Sequence, residues 1–423
     1  NLGLYSGTHY YSDDDADIFS GYLWGVHTGA EFRILPWLNT NLLVNYKQYE
    51  NSIFPISTFS VTAGFSVNLK EAFVSSPKIS ARLKNLSPVF PVLYSWYNEN
   101  PFGTVIIENS ENTSITDVRV YFYCEQYMTK EKFCGEIKKI KSNSTGSVDL
   151  TAFFNESTLQ LLENTNANAK IILEYKRLNK KIRTEIPVSL PVCHRNSMSW
   201  EDDRRAAVFV SPNDQESKSF AMQIASIVRH NLIEGKNVNY QYAAALFESL
   251  ALCGMNYVVD PSSAYADNVG STSIDFLQFP YQTLNYRGGD CDDLSILYCS
   301  LLEALGIESA FITVPGHIYA AFDSGVSEKE ARESLGENYI LKDDKAWIPV
   351  EITMIKDGFN AAVRFGMSEW KKASGNGAIY PMHESWEVYK TVAAPGVDGE
   401  IYIPSTKDVI LQFQKQIKYM SKG

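Results

Sequence analysis

Residues 285–307 of this chain read N-Y-R-G-G-D-C-D-D-L-S-I-L-Y-C-S-L-L-E-A-L-G-I. Leucines recur three and four residues apart after Cys291, which predicts an amphipathic helix that Gly306 ends. Asp290 is a suitable N-cap, with Asp293 as its capping-box partner. Cys291 therefore lies in the first helical turn, where backbone N–H groups and the helix dipole favour a thiolate. The three neighbouring aspartates oppose that charge, so a strongly nucleophilic Cys291 needs a cationic partner.

Two downstream segments supply candidate partners for the thiol. Residues 310–322, A-F-I-T-V-P-G-H-I-Y-A-A-F, read as two strands broken by Pro-Gly, and His317 begins the second. Residues 346–353, A-W-I-P-V-E-I-T, read as a further strand that carries Glu351 among apolar neighbours. A carboxylate in such a strand needs a partner, and an imidazole on the adjacent strand would be one.

A cysteine, a histidine and an acid in this order provide a nucleophile, a base and an orienting group. We expect Cys291 to attack a carbonyl carbon, His317 to transfer the proton, and Glu351 to fix the tautomer of the imidazole ring. The backbone N–H of Cys291 is a natural oxyanion donor. By analogy with thiol hydrolases, a side-chain donor is expected upstream, and Gln282 is the nearest candidate.

These three segments together resemble the transglutaminase-like superfamily in its bacterial branch. The resemblance covers about residues 200–400 and implies a papain-like α+β fold with a Cys-His-acid triad. Carried over, the nucleophile is Cys291, the base is His317 and the acid is Glu351. The third position usually holds Asp in that family, so the longer Glu leaves activity open. Members of the family include amide cross-linkers, peptidases, deamidases and inactive binding modules.

Metal binding is the main alternative for these side chains. Cys291, His317 and Glu351 are all zinc-ligand types, but no fourth ligand stands at a sensible spacing. The aspartates around Cys291 suggest calcium, yet the 12-residue loop pattern is absent and helix capping explains them better. We therefore expect neither a metal nor a cofactor.

Two β-rich regions precede the cysteine region, which we place at residues 200–423. Residues 1–72 read as antiparallel strands, with Phe59, Val61, Ala63, Phe65, Val67 and Leu69 alternating with small or polar residues. Long, aromatic, glycine-rich strands resemble the last strands of a small outer-membrane barrel, but about four are too few to close one. Either upstream strands are missing or the segment is a soluble meander. Residues 76–195 contain short alternating strands separated by turns, and resemble an immunoglobulin-like sandwich.

The composition narrows the function classes further. The 423 residues carry a net charge of -11 and no long basic cluster, so we expect no nucleic-acid partner. No run of 18 apolar residues is present, which excludes a membrane-spanning helix. The chain begins with Asn1 and no signal peptide, so one was removed or the chain is a fragment. The six cysteines match no zinc finger; Cys124 and Cys134 either pair across a hairpin or remain free thiols.

Three functions fit these observations. The first is a cell-envelope thiol hydrolase or acyltransferase that cleaves or transfers a peptide or isopeptide amide through a Cys291 thioester. Its partner is a peptide or protein substrate, and residues 1–70 would associate with the outer membrane. The second is a catalytically silent peptide-binding module, which the Glu at the acid position favours. The third is an envelope tether with a vestigial triad.

Overall fold

The computed structural model describes residues 2–12, 18–35, 38–50, 56–67, 78–259, 274–393 and 401–419. The chain divides into two compact units, residues 1–79 and 80–423. The boundary lies a few residues beyond the one expected from the sequence. The second unit contains the cysteine region 200–423 and all but the first few residues of the β-rich region 76–195.

The first unit is a four-stranded antiparallel meander in the order β1-β2-β3-β4. Its strands are long, and alternate side chains point to opposite faces of the sheet. The alternation expected around residue 60 is confirmed as far as Val67, whereas Leu69 lies outside the described residues. The strands are β1 (Leu2–Ser12), β2 (Ile18–Leu35), β3 (Leu38–Glu50) and β4 (Ile56–Val67).

The second unit begins with two facing sheets. One has the strand order β5-β6-β9 and the other β11-β10-β7-β8. The ring centroids of Phe102 and Phe122 lie 5.1 Å apart between them, and Gly146 of one sheet lies against Ile137 of the other. The strands are β5 (Ile79–Lys84), β6 (Gly103–Asn109), β7 (Ile115–Tyr123), β8 (Lys132–Ile140), β9 (Ser144–Leu150), β10 (Thr165–Arg177) and β11 (Lys180–Val192).

The cysteines of this β-rich region are free thiols. Cys124 lies against the carbonyl of Asn168, while Cys134 lies 3.3 Å from the carbonyl oxygen of Thr151. The sequence leaves open whether Cys124 and Cys134 form a disulfide, and in the structure both are free thiols.

The remainder of the second unit combines helices with a five-stranded antiparallel sheet, so the chain as a whole is an antiparallel β-rich α+β protein. The helices are α1 (Gln215–Val228), α2 (Val238–Leu252), α3 (Pro280–Tyr286), α4 (Cys291–Ala304), α5 (Glu328–Leu335), α6 (Phe359–Lys372), α7 (Met382–Val388) and α8 (Thr406–Tyr419). The strands are β12 (Ser197–Ser199), β13 (Asn256–Tyr257), β14 (Ile274–Phe276), β15 (Gly288–Gly289), β16 (Ser309–Val314), β17 (His317–Asp323), β18 (Ile340–Lys342), β19 (Lys345–Val350) and β20 (Ala378–Pro381). The sheet has the order β18-β19-β17-β16-β20.

Helix α4 lies in the middle of this region. One side packs on β17 and β16 and the other on α1, α2 and α3, so residues 291–302 are buried all round. The expected amphipathic pattern is therefore wrong, because both faces of the helix are covered. The hydroxyls of its two buried serines, Ser295 and Ser300, donate hydrogen bonds to the backbone carbonyls of Cys291 and Ile296 in the same helix.

Among the described residues, no helix is both long enough and apolar enough to span a bilayer.

Candidate active site

The backbone before α4 is shaped by close packing. Arg287 ends α3 in the left-handed conformation with φ 55°. A Cβ on Gly289 would lie 2.5 Å from the Cβ of Asp293, so no larger residue fits there without displacement. Asp290 caps the helix as expected, since its side chain accepts from the backbone N–H of Asp293. This turn leaves Cys291 as the first residue of the helix.

The thiol of Cys291 is buried and faces the neighbouring strand. The backbone N–H of Ile318 donates toward the sulfur, which lowers the pKa of the thiol. Burial, followed by the charges of Asp292 and Asp290, outweighs that effect and raises the pKa well above its usual range. The helix start therefore does not by itself produce a thiolate, because the sulfur is buried beside two carboxyl groups.

A tight hairpin places His317 next to this amide. β16 and β17 pair in antiparallel register, with Val314 opposite His317 and two residues between them. Gly316 has φ 73°, which is the conformation that the second central residue of a type II turn requires, and Pro315 suits the first. The hairpin expected from Pro-Gly is thus confirmed. His317 begins β17 one residue before Ile318, and its ring stacks on Tyr319 at 5.7 Å.

His317 and Glu351 form a short polar contact in the site. Nε2 of His317 lies 2.6 Å from Oε2 of Glu351. Since an ionised carboxylate only accepts, Nε2 carries the proton, and Nδ1 is left to exchange one. Burial of the ring lowers the pKa of His317, but the hydrogen bond and charge of Glu351, together with the charge of Glu369, outweigh it, and the net pKa is raised.

Glu351 lies just past the strand in which the sequence places it. β19 ends at Val350, and Glu351 is the N-cap of a short 3-10 helix, Ile352–Met354. Its side chain is only 1% exposed, and Oε1 accepts from both the backbone N–H and the hydroxyl of Thr353. One carboxylate oxygen is therefore held by Thr353 while the other binds the imidazole, which fixes the ring in place.

Three carboxyl groups surround the start of α4. In the part of the chain that the structure describes, Asp290, Asp292 and Asp293 are the one His, Cys, Asp or Glu cluster close enough to share a cation, with an oxygen of each within 4.8 Å of the others. Burial and a hydrogen bond to Asp290 raise the pKa of Asp292 well above its usual range. Burial and the charge of Asp290 raise the pKa of Asp293 to about 7. A shared proton between carboxyl groups accounts for their closeness, and Asp293 also accepts from the backbone N–H of Gln278 at 2.7 Å.

Gln282 is buried on α3. Its Oε1 accepts from the backbone N–H of Phe279 at 2.8 Å and from Nδ2 of Asn196 at 2.6 Å. The amide oxygen thus caps its own helix and ties it to the segment before β12. Its role as an oxyanion donor stays a prediction, which depends on the Nε2 group alone.

The structure adds one side chain that the sequence analysis missed. Tyr257 of β13 pairs with Gly289 of β15, and the two strands run parallel. Gly289 lies two residues before Cys291. Burial and then the charges of Cys291, Asp290 and Glu351 raise the pKa of its phenol. The raised pKa keeps the phenol protonated, so its hydroxyl can donate a hydrogen bond near the site. Residue 257 lies 34 positions before Cys291 with no motif around it, so only the strand pairing identifies it.

The chain matches no protein-family model and no curated protein.

The chemistry available follows from these groups. A buried thiol lies beside the strand that begins with an imidazole, and a carboxylate that Thr353 holds in place orients that imidazole. Donors near the sulfur include the amide of Ile318 and the phenol of Tyr257. Such a set suits nucleophilic attack on a carbonyl with proton transfer through the ring.

Proposed function

We propose that this protein is a cell-envelope, transglutaminase-like thiol enzyme that cleaves or transfers a peptide or isopeptide amide. The observation that supports it most is the 2.6 Å contact between His317 and Glu351 beside the first turn of α4. The α+β surroundings agree with the resemblance of about residues 200–400 to that superfamily. Residues 76–195 would be an immunoglobulin-like platform for the peptide or protein substrate.

The proposed reaction begins with a neutral thiol. Sγ of Cys291 attacks the amide carbon as its proton passes to Nδ1 of His317, and a C–S bond forms. The imidazolium, held by Glu351, then donates its proton to the leaving amine as the C–N bond breaks. In hydrolysis, His317 takes a proton from water as the water oxygen attacks the thioester carbon; the C–S bond then breaks, the imidazolium returns its proton to the sulfur, and the carboxylic acid leaves. The raised pKa of Cys291 favours this general-base route over a preformed ion pair.

A groove beside the cysteine supports a peptide substrate. Gly288 and Gly289 line it together with exposed apolar side chains: Val258, Val259, Phe276 and Tyr286. The groove encloses about 410 Å³, which suits one or two substrate side chains. Asp290 and Asp293 at its inner end would disfavour an acidic residue next to the scissile bond.

Intact mass spectrometry after incubation with a peptidyl chloromethyl ketone tests the proposal. We expect one stoichiometric adduct at Cys291, because its sulfur faces the strand that His317 begins and lies next to a groove at the start of α4. Cys291→Ala abolishes the adduct. Cys134→Ala retains it, although Cys134 is the most accessible of the other thiols. An adduct that forms first at Cys134 while Cys291 stays unmodified would count against the enzyme.

A silent peptide-binding module is the second candidate, and the raised pKa of Cys291 beside three aspartates is the observation that favours it. This candidate expects peptide binding without an adduct from any electrophile. It also expects His317→Ala to leave the dissociation constant unchanged in calorimetry. For the enzyme, His317→Ala instead slows adduct formation by about 100-fold or more.

A further inference from the structure

One face of strands β2, β3 and β4 is mostly apolar and uncharged. The register places even-numbered residues of β2 and β3 on the same face as odd-numbered residues of β4. We call the described residues of this set the apolar face: residues 24, 26, 28, 30 and 32; 38, 40, 42, 44, 46 and 48; and 57, 59, 61, 63, 65 and 67. It carries no charged side chain.

The apolar face is open. Phe59 is 67% exposed, Val61 57% and Phe65 76%. The opposite face of the same strand carries Thr58, Ser60, Thr62, Gly64 and Ser66. A sheet that leaves its large apolar side chains uncovered on one face, with small polar ones on the other, lacks the covered apolar face expected for a water-soluble sheet with a packed core.

The dimensions of this face match the interior of a bilayer. β4 has 12 residues, which span about 40 Å at ~3.3 Å per residue. Tilted by about 40°, as membrane strands are, it would cross about 30 Å, the thickness of the hydrocarbon core.

One end of the face has an aromatic and polar margin. The rings of Trp24 and Tyr46 lie 5.9 Å apart. The Tyr46 hydroxyl donates to Oε1 of Gln48 at 2.7 Å and lies 3.3 Å from the Ser57 hydroxyl. Amphipathic rings beside polar groups are typical of the membrane–water boundary. A protein interface would instead have polar groups around its entire margin and only a moderately apolar centre.

We infer that the apolar face of β2–β4 contacts the hydrocarbon of a lipid bilayer, with Trp24 and Tyr46 at one headgroup boundary. Four strands do not close such a sheet, so further strands pair with its edges in the membrane. The inference does not depend on the chemistry at Cys291.

The test compares Val61→Arg with Thr62→Arg in the full protein, in membranes of the cells that make it. The two residues are adjacent near the middle of β4 but point to opposite faces. After an alkaline carbonate wash, we expect the wild type and Thr62→Arg to stay with the membranes. Val61→Arg lowers the membrane-bound to free ratio by about 30-fold or more, because a cation would lie near the bilayer midplane. Release of the wild type by carbonate, or equal effects of the two variants, overturns the inference.

A second measurement covers the case in which Val61→Arg fails to assemble. Val61→Cys and Thr62→Cys are labelled with an environment-sensitive fluorophore. The fluorescence of wild-type protein treated in the same way, whose own cysteines also react, is subtracted. Doxyl groups on lipid chains should quench the label at 61, and aqueous iodide should quench the label at 62. The reverse quenching pattern would assign the surface to a protein partner instead. So would light scattering that shows the wild type as a soluble oligomer assembled through this face.

Discussion

At the residue scale, His317 and Glu351 form a pair whose strength depends on pH. The pKa of His317 is raised in the folded state, so the pair contributes stability that is fully present below the unfolded pKa, about 6.5. That contribution is lost as the pH rises through the folded pKa.

Glu351→Gln tests this pair while keeping the acceptor for Thr353. We expect the variant to lose roughly 1.5–3 kcal/mol of unfolding free energy at pH 6 relative to the wild type, and less at pH 9, where the ring is neutral in both states. Urea unfolding at the two pH values measures the difference. A deficit that grows toward pH 9 would contradict the sign.

Asp293 is expected to change stability with pH in the same direction, but over a lower pH range. Burial and the charge of Asp290 raise its pKa to about 7, so the folded state binds its proton more tightly than the unfolded state. Stability therefore falls as the pH rises from about 4 to about 7.

Asp293→Asn removes that penalty and retains Oδ1 for the backbone N–H of Gln278. We expect the variant to gain roughly 1–4 kcal/mol over the wild type at pH 8 and nothing at pH 4.5. Denaturant titrations at both pH values test this. An equal change at both would show that the substitution acts through packing instead of charge.

At the element scale, the start of α4 depends on two adjacent glycines with different requirements. A Cβ on Gly289 would meet the Cβ of Asp293 at 2.5 Å. On Gly288 its nearest neighbour would be Cγ2 of Val258, at 3.3 Å. The first contact needs the helix to shift, and the second needs only a small movement of a side chain.

We expect Gly289→Ala to destabilise the protein by about 1–3 kcal/mol and to slow adduct formation at Cys291, because the first turn of α4 must move. Gly288→Ala is the matched control and should cost less on both measures. Chemical denaturation and the time course of labelling measure the two effects. Equal costs at the two positions would mean that close packing at Gly289 does not position the thiol.

At the scale of the whole molecule, the β-rich region and the cysteine region are parts of one compact unit. Trp96 stacks on Tyr389 at 6.1 Å, and an Arg195 guanidinium nitrogen donates to the Tyr281 hydroxyl at 2.7 Å. These contacts join segments far apart in the chain, so we expect the two regions to unfold together.

Phe122→Ala tests this coupling from the β-rich side. Phe122 is buried against Phe102 and Phe154, and its truncation should cost about 3–5 kcal/mol. Calorimetry of the full chain should show the same thermal transition shifted by Phe122→Ala and by Gly289→Ala. If the two variants shift two different transitions, the β-rich region and the cysteine region unfold as separate domains, as the sequence suggests.

The sequence predicts the local features of the site well. Asp290 caps a helix that Gly306 ends, and Pro315-Gly316 forms the hairpin before His317, because caps and turns are set by the conformations of neighbouring residues. The strand containing Trp347 lies beside β17, as expected from the need of Glu351 for a partner on an adjacent strand.

Apart from the His317–Glu351 contact, two features that depend on distant neighbours were not predicted. No pattern around Tyr257 indicates that β13 lies beside Gly289. The complete burial of α4 also differs from its apparent amphipathic pattern, because helices from another part of the chain cover its second face.

The sequence by itself determined the helix start at Cys291, the hairpin at His317 and the alternation of β4, since each depends on residues within a few positions of one another. Only the tertiary structure decided the protonation of the site. Burial and three converging carboxyl groups raise the pKa of Cys291, while Glu351 raises that of His317. Electrostatic energies depend on distance in space and on exclusion of water, and neither quantity is contained in the order of the residues.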